Sequence, residues 1–451
     1  MLKRCSTNRR VRFQRRRCQA LFFSLASALL PSILPALSAQ DLQRVELLGR
    51  RFFVNGAATF PIGYTTGPAL ASLAPSGVDG LAELKKEGYV FQLWYCPPRQ
   101  WGPGQEKILD AVMSHTLEQG TQVVISIHDL QSIKPSETEK LTELRRVVTK
   151  YRNHPALAFW KGQDEPQWGK IPAEDLRIYY ETIHSLDPNH PIWITQAPRG
   201  NADDMRPYAK FYDIGAIDIY PVSYPPGYHA PKESTNKGLS LVGDYTRMIE
   251  DAGNHSKNTM MVLQICWSGV TKPGRTLRFP TLFEERYMTY EAIINGARGL
   301  VFFGGNVRAC WNDRDTAFGW NWTFYDRALR PVLDELRPEG SLYPALIAPD
   351  SRLPVRASTG AGVEWVVRES GDFVYVLAAR REGETSEIEF TGLPKGITEG
   401  ALLYEEPRMV SVKDGSFTDW FGPHEVHLYR FRRPAQDVKA GAPAIEKISA
   451  N

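Results

Sequence analysis

The chain has 451 residues, 54 Lys or Arg against 51 Asp or Glu, a formal net charge of +3, and is 42% hydrophobic and 11% aromatic. Eight of the basic residues crowd into Met1–Arg17, so without residues 1–39 the balance is 46 bases against 51 acids, or −5, which excludes a broad basic face for nucleic acid. Of five cysteines only Cys96, Cys266 and Cys310 lie beyond residue 39, an odd number with no metal-ligand spacing, in a chain long enough to need no disulfide framework.

Taken in chain order, the first segment reads as an address. A basic stretch without acids, an apolar run from Leu21 to Leu34 and the small residues Ala36-Leu37-Ser38-Ala39 follow the order of a secretory signal peptide. Cleavage is expected near Ala39, with the mature chain secreted or periplasmic. Pro31 and Pro35 interrupt the apolar run, so stable membrane insertion is not expected after cleavage. Val45–Phe60 then reads as a β-hairpin with an Asn55-Gly56 turn.

Beyond it, eight β-rich runs alternate with helical patterns. The runs are Phe60–Thr65, Val90–Cys96, Gln122–His128, Leu157–Gln163, Ile192–Gln196, Ile214–Tyr220, Met260–Ile265 and Gly299–Phe303. Helices are predicted over Gly77–Glu87, Lys107–Gln119, Ser136–Tyr151, Ala173–Leu186, Asp203–Lys210, Leu239–Ala252, Thr281–Asn295 and Tyr325–Leu336. Eight βα units over this span predict a (β/α)8 TIM barrel occupying residues 40–340, hairpin included. No Gly-rich phosphate turn follows the first run, which argues against an open dinucleotide-binding sheet. From Leu346 the pattern changes to short strands without helices, which predicts a small all-β sandwich over 346–433, followed by a flexible tail over 434–451.

A barrel presents its chemistry at the C-terminal tips of its strands. Those tips bring Trp94 and Tyr95 (second strand), His128 and Asp129 (third), Asp164 and Glu165 (fourth), and Asp218 and Tyr220 (sixth). Gln264 and Trp267 follow from the seventh, and Trp311 and Trp320 from the loop after the eighth. Aromatic rings beside carboxyl and amide groups suit a sugar, whose C–H faces stack on rings while its hydroxyls bond to the polar groups. The strongest element is the fourth strand, which delivers two adjacent acids to its tip. Strand alternation predicts that only one of them points inward, and Pro166 predicts an extended Glu165. A carboxyl walled by Trp160 and Trp168 is expected to keep its proton and act as an acid. His154 and His190 precede prolines at the opposite end and read as structural. No metal and no cofactor is expected: His128 and Asp129 lack further ligands, and no nucleophile elbow or P-loop is found.

Several motifs together carry a resemblance. They are Phe53-Val54-Asn55-Gly56 with Phe60-Pro61-Ile62-Gly63-Tyr64, Arg152-Asn153-His154-Pro155-Ala156-Leu157, Asp164-Glu165-Pro166, Asp187-Pro188-Asn189-His190-Pro191, Asp218-Ile219-Tyr220-Pro221 and Gly296-Ala297-Arg298-Gly299-Leu300. Over residues 45–340 the chain resembles the superfamily of retaining TIM-barrel glycoside hydrolases. The resemblance implies a carbohydrate substrate and an acid/base Glu after strand four, which falls on Glu165, with Asp164 in place of the usual Asn. It also implies a nucleophilic Glu at the end of strand seven, where this chain has Gln264, and an amide cannot attack as a carboxylate. The second carboxylate is therefore expected from Asp218 or from Glu285 (or its neighbour Glu284), with Asp129 a further candidate. The expected activity is glycosidic hydrolysis, with Trp94, Tyr95, His128, Asp129, Asp164, Tyr220, Gln264, Trp267, Trp311 and Trp320 contacting substrate. Two alternatives stay open. One is a polysaccharide lyase using Tyr95 or Tyr220 with His128, and a basic cleft drawn from Arg199, Arg206, Arg278 or Arg308. The other is a sugar-binding protein without catalysis.

Overall fold

The computed structural model describes residues 44–95, 100–228, 230–265, 276–358 and 362–434. The expected signal peptide, Cys96, Cys266, Trp267 and all of the tail beyond residue 434 lie outside those residues. The described residues form one compact unit.

Eight parallel strands close into a barrel, the eighth pairing back onto the first. Strands one to eight are Ile62–Tyr64, Val90–Tyr95, Gln122–Ser126, Leu157–Asp164, Ile192–Gln196, Ile214–Ile219, Met261–Gln264 and Leu300–Phe303. Both faces of each strand are covered, which is why they read as near-continuous apolar runs. Phe91, Leu93, Val124, Trp193, Val262 and Val301 fill the interior. Phe91 meets Phe159 and Trp193 edge-on, with ring centroids 5.3 and 6.2 Å apart. Gly63 on strand one makes room for that ring, since a Cβ there would sit 2.2 Å from it.

Helices ring the barrel, chief among them Pro103–Glu118, Thr138–Tyr151, Arg177–Leu186, Leu241–Ala252 and Leu282–Ile294. The last starts in a capping box, with Glu284 N–H donating to Thr281 Oγ1 and Thr281 N–H donating back to the Glu284 carboxylate. The helix expected over Asp203–Lys210 is instead a single α-turn, Ala202–Met205, running into 3-10 turns over Arg206–Phe211. Pro207 removes a backbone donor at that junction. The N-terminal hairpin gains a third strand, Ala57–Thr59. Both of its turns place two consecutive residues at positive φ, Gly49-Arg50 and Asn55-Gly56, the geometry of tight hairpins. It packs under the barrel, with Phe52 against Phe159 at 5.9 Å, and so leaves the C-terminal mouth as the open end.

After the barrel, a three-stranded sheet (Arg356–Ala357, Ser386–Thr391, Phe417–Phe421) faces a five-stranded one (Val363–Ser370, Phe373–Arg380, Glu399–Leu402, Met409–Ser411, Val426–Arg432). Their inner faces share a core in which Phe390 and Phe417 stack at 4.9 Å. Helix Leu282–Ile294 carries Glu291 into the contact with this sandwich, where its buried carboxyl lies beside that of Glu364. Burial and then the Glu364 charge push Glu291 well above the ordinary carboxylate range, while Arg247 and Arg381 hold Glu364 as the anion at 2.8 and 2.7 Å. A group with a raised folded pKa favours folding below its unfolded pKa and loses that advantage as pH rises. Thermal unfolding followed against pH is therefore expected to show an alkaline decline that Glu291→Gln, which keeps a donor toward Glu364, makes shallower.

Candidate active site

Strand four builds the centre of the mouth. Its pairing with strand five is irregular between Lys161 and Asp164, and Glu165 immediately beyond has φ 45°, in the left-handed region. Such a conformation costs of order 1–3 kcal/mol for a non-glycine residue. The surroundings hold it: Glu165 N–H donates to Thr195 O at 2.7 Å, and its own carbonyl accepts from Gly169 N–H at 2.9 Å. This corrects two expectations. Glu165 is not extended, and the bulge with the left-handed turn brings both Asp164 and Glu165 to the same cavity instead of alternating them across the strand.

That cavity, of about 330 Å³, is lined by Asp164, Glu165 and Trp168 from strand four and its loop, and by Ala197, Pro198 and Arg199 after strand five. Asp218 and Tyr220 from strand six and Phe303 from strand eight complete it. Tyr220 and Phe303 pack at 5.1 Å, and Trp168 stands at the rim, 61% exposed.

The carboxyls of Glu165 and Asp218 lie side by side in this cavity. Two neighbouring buried carboxyls hold one proton between them more readily than they ionise together. Burial, and next the Asp164 charge, raise the proton affinity of Glu165. Burial, then the Glu165 charge, raise that of Asp218 well above its ordinary range. The Tyr220 hydroxyl donates to Asp218, and Asp218 Oδ1 is buried with no partner among the described residues. Two cations offset the acids: Arg199 at the wall, and Lys161, whose Nζ lies 3.1 Å from Asp164 Oδ1.

Other predicted residues lie elsewhere. Tyr95 reaches the interior side of the mouth, packed against the core cluster that includes Tyr220. Trp94 points outward from strand two and packs on Trp101 at 6.3 Å beneath the helices. His128 and Asp129 fall in the turn after strand three, where Asp129 accepts from Trp101 N–H at 3.1 Å, and neither lines the cavity. Trp320 is core, packed against Tyr64 and Trp322 with its Nε1 donating to Thr66 O at 3.0 Å. Trp311 donates to Asn321 at 2.9 Å, away from the cavity. Trp267 lies outside the described residues.

Gln264 is fully buried and fastens two loops. Its Oε1 accepts from Val222 N–H, and its Nε2 donates to Val222 O and Arg278 O, each at 3.0 Å. It does not line the cavity. Glu284 is committed to Arg278 at 2.6 Å. Glu285 is sealed in the layer between barrel and helices with neither oxygen partnered among the described residues, and burial raises its proton affinity well above the ordinary carboxylate range. An acid walled off from the mouth has no route to substrate. Glu285→Gln is expected to keep turnover within about twofold of wild type, the ordinary outcome for a substitution outside the reacting set, and steady-state kinetics check it.

Sequence reasoning missed Phe303 and Lys161 as site residues, named Arg199 only for the lyase alternative, and placed Trp168 beside Glu165 without counting it among the substrate contacts. Lys161 had a signal: it is the one charge inside the apolar run Leu157–Gly162. Phe303 carried none beyond its place at the end of strand eight.

No protein-family model matches the chain, and no curated protein matches it. Its fold is shared with solved structures. A glycoside hydrolase of family 5 from Bacteroides vulgatus aligns with a TM-score of 0.55 at 12% identity, covering 89% of this chain and 96% of its own. A structure described as a glycoside hydrolase gives 0.53 at 12% identity over 88% and 98%. The alpha-amylase of Geobacillus thermoleovorans, complexed with acarbose, gives 0.52 at 13% identity over 83% and 98%. At this identity the likeness is one of architecture: a closed (β/α)8 barrel followed by antiparallel β-sheets.

Proposed function

We propose that the protein is an exported glycoside hydrolase that cleaves a glycosidic bond between Glu165 and Asp218. The observation that carries this reading is the pairing of these two carboxyls, both raised in proton affinity by burial and neighbouring charge, inside a cavity of sugar-ring size at the barrel mouth. The names of the fold neighbours support the same reaction class.

The chemistry follows from the shared proton. Glu165 gives it to the glycosidic oxygen as the C–O bond breaks, and Asp218, left as the anion, attacks the anomeric carbon. Water then displaces Asp218, losing its proton to Glu165 and restoring the pair. Neighbouring carboxyls suit the ~5–5.5 Å separation of double displacement better than the ~6.5–9.5 Å across which an inverting enzyme holds a water. Retention is therefore the expected outcome. Because both proton affinities are raised, the active, singly protonated pair persists above the ordinary carboxylate range.

The substrate class follows from charge. Three acids with one shared proton carry −2, and Lys161 and Arg199 bring +2, so the mouth is neutral overall. A neutral glycan fits it, with Tyr220 and Phe303 against the ring and Trp168 stacking on the next residue of the chain. A lyase would need surplus cation for its uronate. Arg206 is instead tied to Asp203 and Arg278 to Glu284, and Arg308 lies over Trp311. Gln264, standing outside the cavity, gives no support to a sugar-binding protein without catalysis. Incubating the secreted chain with neutral oligosaccharides and measuring released reducing ends tests the assignment. Cleavage is expected, and binding without cleavage across the panel counts against it.

A further inference from the structure

Beneath the mouth lies a lysine that the hydrolytic steps do not use. Lys161 sits on strand four inside the barrel, 1% exposed. Its ammonium lies over the Trp193 ring at 5.1 Å, donates to Gly162 O at 3.3 Å and reaches Asp164 Oδ1 at 3.1 Å. Its carbonyl is fixed as well, accepting from Gln131 Nε2 at 2.8 Å and from the Tyr179 hydroxyl at 2.7 Å. A barrel interior is ordinarily filled with branched apolar residues, and an ammonium there gives up its hydration. Packing alone is better served by Leu or Met at such a position.

What the ammonium faces gives it a use. Asp164 stands next to the Glu165–Asp218 pair, and its charge opposes loss of the shared proton, whereas Lys161 favours it. Arg199 acts in the same sense as Lys161 from the loop after strand five, and Tyr220 donates to Asp218 from strand six, with Tyr95 beyond it on strand two. Among these groups Lys161 and Asp164 form the one direct ion pair, of opposite influence on the same proton.

We propose that Lys161 is a positioning residue: paired with Asp164 under the barrel mouth, it sets the pH at which the Glu165–Asp218 pair gives up its proton. The proposal rests on the reading of Glu165 and Asp218 as the reacting pair. Without Lys161 the Asp164 charge is unopposed and the pair holds its proton to higher pH. Without Asp164 the lysine is unopposed and the proton leaves at lower pH.

The test needs no substrate. Infrared difference titration follows the carboxylic-acid band that Glu165→Gln removes. Relative to wild type, the midpoint is expected to move up by about one unit in Lys161→Met and down by a similar amount in Asp164→Asn. The double variant Lys161→Met/Asp164→Asn is expected to return close to wild type. A shift of one unit is a tenfold change in proton affinity. A residue that merely packs would move neither midpoint, or both the same way, and either result overturns the proposal. If Lys161→Met does not fold, Asp164→Asn decides the matter alone, since an unmoved or raised midpoint overturns it. Absence of the band in wild type would sink the shared-proton reading itself. Opposite shifts in a protein that cleaves no glycoside leave this proposal standing and remove the hydrolase assignment.

Discussion

Glu165→Gln is expected to lower kcat by about 10²–10⁴, the range general-acid catalysis supplies, while leaving the fold intact. Asp218→Asn is expected to cost at least as much, because the amide can neither attack nor carry the proton back. The two losses are not additive. Each variant alone dismantles the one-proton pair, so the double variant is expected to be little worse than either single one. Stability should move the other way. Both carboxyls have folded-state proton affinities above the ordinary range. Each therefore favours folding at low pH and loses that advantage as pH rises through its folded pKa. Above that point the neutral amides relieve a charge held in a buried site. Thermal unfolding at mildly alkaline pH is expected to show both variants at or above the wild-type midpoint. Loss of activity with a large fall in stability would instead mark Glu165 as structural.

The second large effect is expected at Gln264, where the resemblance to retaining barrel hydrolases suggests restoring an acid. Gln264→Glu should produce no nucleophile. The residue lies outside the cavity, and its amide N–H groups are aimed at the carbonyls of Val222 and Arg278. A carboxylate would set two acceptors against each other at hydrogen-bond distance in a fully buried position. A charge stranded in this way costs about 3–5 kcal/mol. The expected result is a protein destabilised by that order in urea unfolding, with the loops carrying Val222 and Arg278 loosened and no gain in turnover. A stable Gln264→Glu variant with higher activity would return strand seven to the mechanism.

The architecture was legible because a buried parallel strand writes itself as a short apolar run between turn residues, and all eight runs coincide with barrel strands. What sequence did not disclose was phase. Trp94 and Leu93 are neighbours, yet Leu93 fills the barrel and Trp94 faces the helices; a one-residue shift exchanges the two faces. Trp320 reads as a loop aromatic at the mouth, but it packs against Tyr64 and Trp322 in the core.

The same limit applies at the site. Strict alternation would send Asp164 and Glu165 to opposite sides. The irregular pairing after Lys161 and the positive φ of Glu165 bring both to one cavity, and neither feature has a residue signature, since Pro166 argues for an extended Glu165. Glu285 reads as a candidate second carboxylate after strand seven and is instead sealed away from the mouth, where burial raises its proton affinity. Glu165 and Asp218 were findable because a strand's last residue needs no phase to be placed at the mouth. Their contact was not, because it spans strands four and six and depends on barrel closure.

The most direct measurement is covalent. A 2-deoxy-2-fluoro glycoside of a cleaved sugar slows release of any glycosyl-enzyme, and mass spectrometry of the digested protein locates the attachment. One added sugar per chain, on the peptide containing Asp218 and absent from Asp218→Asn, is the result this account requires. Turnover with no trapped sugar, or a sugar attached to Asp164 or to a strand-seven peptide, would contradict it.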